Sequence, residues 1–125
     1  MPLEPGLAAA VSLDVGDGDT ALALRSGEVP VLATPRLIAL CEEASMRAVA
    51  RMVPPGHTTV GMRVQFDHLA PSAIGAHVTA EATLEKVQGR RLTFTVSASD
   101  ERGLVAAGKV TRVVVNVDRF LDHTS

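Results

Sequence analysis

The chain has no tryptophan or tyrosine and only three phenylalanines, Phe66, Phe94 and Phe120. A surface that stacks nucleobases needs more aromatics than this. Cysteine is nearly absent too: Cys41 stands alone, which excludes an internal disulfide and suits a reducing compartment. Charge of one sign is scarce, since 12 basic and 14 acidic residues give a net charge of −2, with no basic run to follow a phosphate backbone. No apolar stretch approaches the roughly 20 residues of a membrane-spanning helix. The opening MPLEPGLAAAVSLDVGDGD has acids and turn formers where a secretory leader has a basic start and an apolar block. His57, His77 and His123 lack metal-ligand spacing with Cys41 or with one another, and the glycines form no phosphate-binding loop. The expectation is a cytoplasmic domain with no metal, no cofactor, and neither nucleic acid nor membrane as partner.

What is present is aliphatic. Hydrophobic residues make up 46% of the 125 positions, enough for one domain, 1–125, to bury a core. Its ends, 1–6 and 119–125, are expected to fray. Leu7, Ala9, Val11, Leu13 and Val15 alternate as a first strand, GDGD (16–19) is a turn, and TALALR reads as a short return strand. The period then changes. Thr34 suits a helix N-cap, Pro35 the first helical position, and Leu37, Cys41, Ala44 and Ala48 share one face. Glu43 and Arg47 are spaced as an i,i+4 pair, and VPPG (53–56) stops the helix. Four strands follow. Val60, Met62, Val64, Phe66 and His68 alternate; so do Val78 to Leu84 and Leu92 to Ala98. The run 104–118 holds Val113, Val115 and Val117 on one face and slips near Thr111–Arg112, which predicts a bulge or a face buried against something else. QGRR and DERG are hairpin turns. One long apolar helix followed by an antiparallel sheet is an α+β domain, and one helix cannot cover both sides of that sheet, so a dimer is expected.

Three polar residues converge where the helix meets the first of these later strands. Thr34 offers a hydroxyl, Glu42 a carboxylate far inside an apolar run, and His68 an imidazole on the face shared with Val64 and Phe66. Each has a structural reading: an N-cap, an acid reaching solvent at the helix edge, and a core-edge histidine. Together they are the parts acyl transfer needs. Thr34 and Glu42 are eight residues apart, about 12 Å along a regular helix, too far to bond directly. Either the helix starts late or bends, or one subunit's Glu42 meets the other's Thr34 across a two-fold axis.

The stretch VLATPRLIALCEEASMRAVARMVPPGHTTVGMRVQFDHLAPSAIGAHVTAEATLEKVQGRRLTF resembles the fluoroacetyl-CoA thioesterase-like branch of the hotdog-fold thioesterases. The matching features are Ala-Thr before the helix, Glu eight residues on, Gly followed seven later by His, and the GRRL turn; the similarity spans about residues 29–118. The resemblance implies a hotdog fold, in which an antiparallel sheet wraps one long central helix, in a homodimer, or a pair of such dimers as a tetramer. It implies an acyl-CoA substrate and a catalytic set on Thr34, Glu42 and His68. The Gly61 N–H would hold the thioester oxygen, a contribution worth about 3–4 kcal/mol when such a donor is lost. His68 would be the general acid/base. Glu42 would attack directly or orient water and imidazole, and Thr34 would position substrate or act as nucleophile. Arg90 and Arg91 either meet CoA phosphates or form a charged hairpin tip. The branch's namesake carries aromatic lid residues before the Ala-Thr pair, whereas RSGEVPV here offers Glu28 and no aromatic. A short-chain acyl-CoA hydrolase is therefore expected rather than a fluoroacetyl-specific one. The competing readings are a non-catalytic acyl-CoA or acyl-chain binder and a hotdog hydratase.

Overall fold

Residues 3–124 are described by a computed structural model. Along the chain come β1 (Ala8–Asp14), a 3-10 turn (Asp17–Asp19), α1 (Ala21–Leu24), α2 (Thr34–Val49), β2 (His57–His68), β3 (His77–Gln88), β4 (Arg91–Asp100), β5 (Gly103–Asn116) and α3 (Val117–Asp122). The strands form one antiparallel sheet in the order β1-β3-β4-β5-β2, so β1 and β2 are its edges. Alternation fixes which face is apolar: Val78, Ala80, Ala82 and Leu84 of β3 and Leu92, Phe94, Val96 and Ala98 of β4 are all buried. Against that face lies α2, through Leu37, Leu40, Cys41, Ala44 and Val49. Full burial of a side chain such as Leu37 or Phe94 contributes about 1.5–3 kcal/mol. The Glu43–Arg47 pair forms as the spacing predicts, at 2.7 Å.

Several local expectations are corrected. TALALR is not a return strand. Ala21–Leu24 make one helical turn because the Thr20 hydroxyl accepts from Ala23 N at 3.2 Å, and Arg25 ends it in the left-handed region at φ 60°. Thr34 is not the cap of α2 either. Ala33 occupies that position, Thr34 is the first helical residue, and the threonine side chain is used elsewhere. In β5 the buried face carries Val110, Arg112 and Val114, not Val113 and Val115, and Val117 already begins α3. Residues 119–122 lie in α3, where Asn116 accepts from Arg119 N, and near the other end Gly6 N donates to Leu84 O. Residues 1, 2 and 125 lie outside the described residues.

A bulge in β2 does most to shape the site. Gly61 pairs with Arg112 and Arg63 with Thr111, so Met62 is the extra residue. The irregularity falls opposite the slip read at Thr111–Arg112, but the additional residue belongs to β2 and not to β5. Its consequence is geometric. Gly61 and His68 are seven residues apart, an odd interval that would put them on opposite faces of a regular strand. With Met62 bulged out, both face α2, while Val60 falls on the other side.

The segment leading into α2 is braced by Asp19. Its carboxylate accepts from Gly16 N at 2.8 Å and from Arg36 Nε at 2.9 Å, while its carbonyl accepts from Ala33 N at 2.9 Å. The hydrogen bond from Gly16 holds the Asp19 carboxyl below its ordinary value of 3.8; burial opposes it, and the hydrogen bond and charge of Arg36 add to the lowering. A carboxylate depressed in the folded state stabilises above its unfolded value and loses that contribution as pH falls through the folded one. Asp19→Asn is therefore expected to cost about 1–2 kcal/mol at neutral pH. In thermal unfolding followed across pH, the gap to the parent should close as the pH drops below about 4. A gap independent of pH would mean that the carboxylate charge does not brace this loop.

Candidate active site

Two groups of polar side chains lie along the junction of α2 with the edge strand β2. At the start of α2, Thr34 Oγ1 and His68 Nδ1 are 2.7 Å apart. His68 Nε2 is buried and has no hydrogen-bond partner among the described residues. A hydroxyl against an imidazole at this distance is the arrangement that lets the ring take the hydroxyl proton as the oxygen attacks. Beside the pair opens a cavity of about 360 Å³, lined by Thr34, His68 and aliphatic and small residues including Ala21, Val29, Val31 and Leu69, with no phenylalanine.

Two turns further along α2, the second group gathers around Glu42. Its Oε2 accepts from Arg112 Nη1 at 3.2 Å. Arg112 is buried and held in turn by Thr59, with Nε to Oγ1 at 2.9 Å and Nη2 to the carbonyl at 2.8 Å. Burial pushes the Arg112 pKa down and the negative charge of Glu42 opposes it. Gly61 is the close neighbour on β2: a Cβ placed there would run into Glu42 Oε2, so only glycine lets the carboxylate lie against this backbone. Cys41, next to Glu42, is inert. Burial, and secondarily the Glu42 charge, raise its thiol to about 11.

The structure thus joins Thr34 to His68, and Glu42 to Gly61, but keeps the two groups apart within one chain. Arg90 and Arg91 sit at neither; they flank the β3–β4 hairpin and, with Gln88 and Val113, line a hollow on the sheet. Arg112 was missed as a site residue. The signal was there in TRVVV, a guanidinium in an otherwise apolar strand, at the very place where the alternation slips. Among the described residues no group of His, Cys, Asp or Glu could hold a metal ion, and no helix is long and apolar enough to cross a membrane.

Comparison with known proteins bears on this geometry. The family model for fluoroacetyl-CoA-specific thioesterases matches residues 15–118. The fluoroacetyl-CoA thioesterase of Streptantibioticus cattleyicolor is 36% identical over 90 residues, 72% of this chain and 65% of that protein. The chain belongs to the fluoroacetyl-CoA-specific thioesterase family. The matched segment spans just under two thirds of the length of that relative. In three dimensions a solved structure of the fluoroacetyl-CoA thioesterase superposes with a TM-score of 0.93 at 29% identity, covering 99% of this chain and 96% of that one. A hot-dog-like protein from Thermanaerovibrio acidaminovorans gives 0.88 at 27% identity, covering 96% and 89%. A thioesterase-superfamily member from Thermus thermophilus gives 0.89 at 25% identity, covering 98% and 93%. The hotdog architecture and the family expected from Ala33-Thr34, Glu42, Gly61 and His68 both hold.

Proposed function

We propose that the protein is an acyl-CoA thioesterase that hydrolyses short-chain acyl-CoA to the free acid and CoA. The observation that carries this reading is the Thr34–His68 hydrogen bond of 2.7 Å beside an acyl-sized cavity, in a chain of this family. Thr34 Oγ1 attacks the thioester carbonyl carbon as His68 Nδ1 takes its proton. The C–S bond breaks, and the departing sulfur receives that proton as free CoA thiol. Water then attacks the acyl-threonine ester, giving its proton to the base and releasing the acid with Thr34 restored. The Gly61 N–H holds the oxyanion and Glu42, oriented by Arg112, orients and deprotonates the water. No cofactor enters these steps.

Such a site needs both groups of side chains, and one chain keeps them apart. In our reading two copies pair along their β2 edges about a two-fold axis near Val64–Gln65, which sets one copy's His68 beside the partner's Gly61. Exposed Met46, Met62 and Val64 along this junction support burial by a second copy. The working unit is therefore a homodimer. We place it in the cytoplasm, where acyl-CoA and a reduced Cys41 both persist.

The aliphatic lining beside Thr34 favours a plain acyl group over a fluorinated one. Thiol release from acetyl-, propionyl-, butyryl-, hexanoyl- and fluoroacetyl-CoA tests both claims. Turnover of the aliphatic esters is expected, with fluoroacetyl- and acetyl-CoA within roughly tenfold of each other in kcat/KM, as for small differences in an apolar pocket. No turnover of any ester would remove the hydrolase reading. A preference for fluoroacetyl-CoA far beyond that range would overturn the assigned specificity.

A further inference from the structure

The acyl end of the substrate has a place in this account; the nucleotide end does not, and a second cavity supplies one. On the side of the sheet that faces α2, cross-strand pairs follow in order from the site: Gly61 with Arg112, Thr59 with Val114, His57 with Asn116. Past the last pair opens a cavity of about 390 Å³ between the end of β5, the β3–β4 hairpin and α3. It is lined by Arg90, Arg119, His57, His123 and Phe120. A chain with net charge −2 thus gathers two arginines and two histidines around one hollow, and α3's acids Asp118 and Asp122 are not in its lining. Of the three phenylalanines, Phe94 is fully buried and Phe66 packs on the core, whereas Phe120 is 41% exposed at this hollow. Hairpin and strand are tied here by Val114 N donating to Arg90 O at 2.9 Å, which fixes the Arg90 backbone over the cavity.

We infer that this cavity holds the phosphorylated adenosine end of CoA, with Arg90 and Arg119 on its phosphates and Phe120 against the adenine. Guanidinium groups pair with phosphate oxygens through paired N–H donors, and an exposed aromatic ring offers a face to a base. The reach agrees: four residues of β2 from Gly61 to His57 span about 13 Å, a path an extended pantetheine arm can follow. Arg90 lines both this cavity and the neighbouring hollow with Gln88 and Val113, whereas Arg91 lines only that hollow. The inference rests on the acyl-CoA reading above for its ligand and extends it to α3.

Binding of CoA and of 3′,5′-ADP to the full-length protein, measured by calorimetry, tests it in the parent, in the Arg90→Ala/Arg119→Ala double variant and in Phe120→Ala. Both ligands should bind the parent, and both variants should raise Kd by about tenfold or more, the scale of losing one good charged or stacking contact. Hydrolysis gives a second readout: the kcat/KM ratio of acyl-CoA to the same acyl group on N-acetylcysteamine, which lacks the nucleotide, should fall by a similar factor. Unchanged Kd values would overturn the assignment, as would an equal loss on both thioesters, which would mark these residues as structural. If the parent binds CoA but hydrolyses neither thioester, the hydrolase reading fails, and the binding data alone decide the nucleotide site.

Discussion

Replacing Glu42 with glutamine is expected to lower kcat by about a thousandfold, within the range by which a positioned acid or base accelerates proton transfer. The substitution preserves shape. The amide oxygen still accepts from Arg112 Nη1, and Arg112 keeps its two bonds to Thr59, so the local frame stays in place. What disappears is the charge that orients and deprotonates water. With the bond kept but the charge facing buried Arg112 removed, the substitution should cost about 1–2 kcal/mol of stability. Thiol release and thermal unfolding, measured together on the variant, separate the two effects. A variant that keeps near-parental turnover would remove Glu42 from the chemistry, and one that unfolds would make it a structural acid.

The second large effect is expected from a single methyl group. In Gly61→Ala the new Cβ falls where Glu42 Oε2 lies, so the carboxylate must move or the strand must. A displacement of this size in a reacting group costs about a hundredfold in rate. Stability should move little, or slightly upward, because alanine is preferred over glycine in a strand by roughly 0.5–1 kcal/mol. Loss of activity without loss of stability is the signature of a glycine kept for close approach, and steady-state kinetics beside a melting curve will show it. Parental kcat in the alanine variant would mean that Glu42 is free to swing away without consequence.

The elements with strict alternation were the legible ones. Val78 to Leu84 and Leu92 to Ala98 announce strands because every second side chain is apolar, and the core uses them in that way. Ala21–Leu24 was not legible: over four residues of Ala and Leu, strand and helix periods cannot be told apart, and the Thr20 cap decides. The bulge at Met62 was hidden for a related reason. Val60 and Met62 are both apolar, so the pattern reads as alternating whether or not a residue is inserted. Only the odd interval between Gly61 and His68 hints at it, and only once both are required on the helix side. Thr34, Glu42, Gly61 and His68 were picked out as a set. The separation of Thr34 from Glu42 was legible in their eight-residue helical spacing, but which β2 residue each meets depends on how α2 lies along β2, a tertiary fact that no local pattern carries.

That division is the centre of the account, and subunit mixing tests it most directly. Glu42→Gln and His68→Ala each spoil both sites of a homodimer. A hybrid of the two variants has one site in which an intact His68 faces an intact Glu42 from the other copy. Unfolding and refolding an equimolar mixture makes roughly half the dimers hybrid, so thiol release should recover to about a quarter of the parental value. If the mixture stays as inactive as its components, while its hybrid dimers are shown to form, each site is built within a single chain and the composite site is wrong.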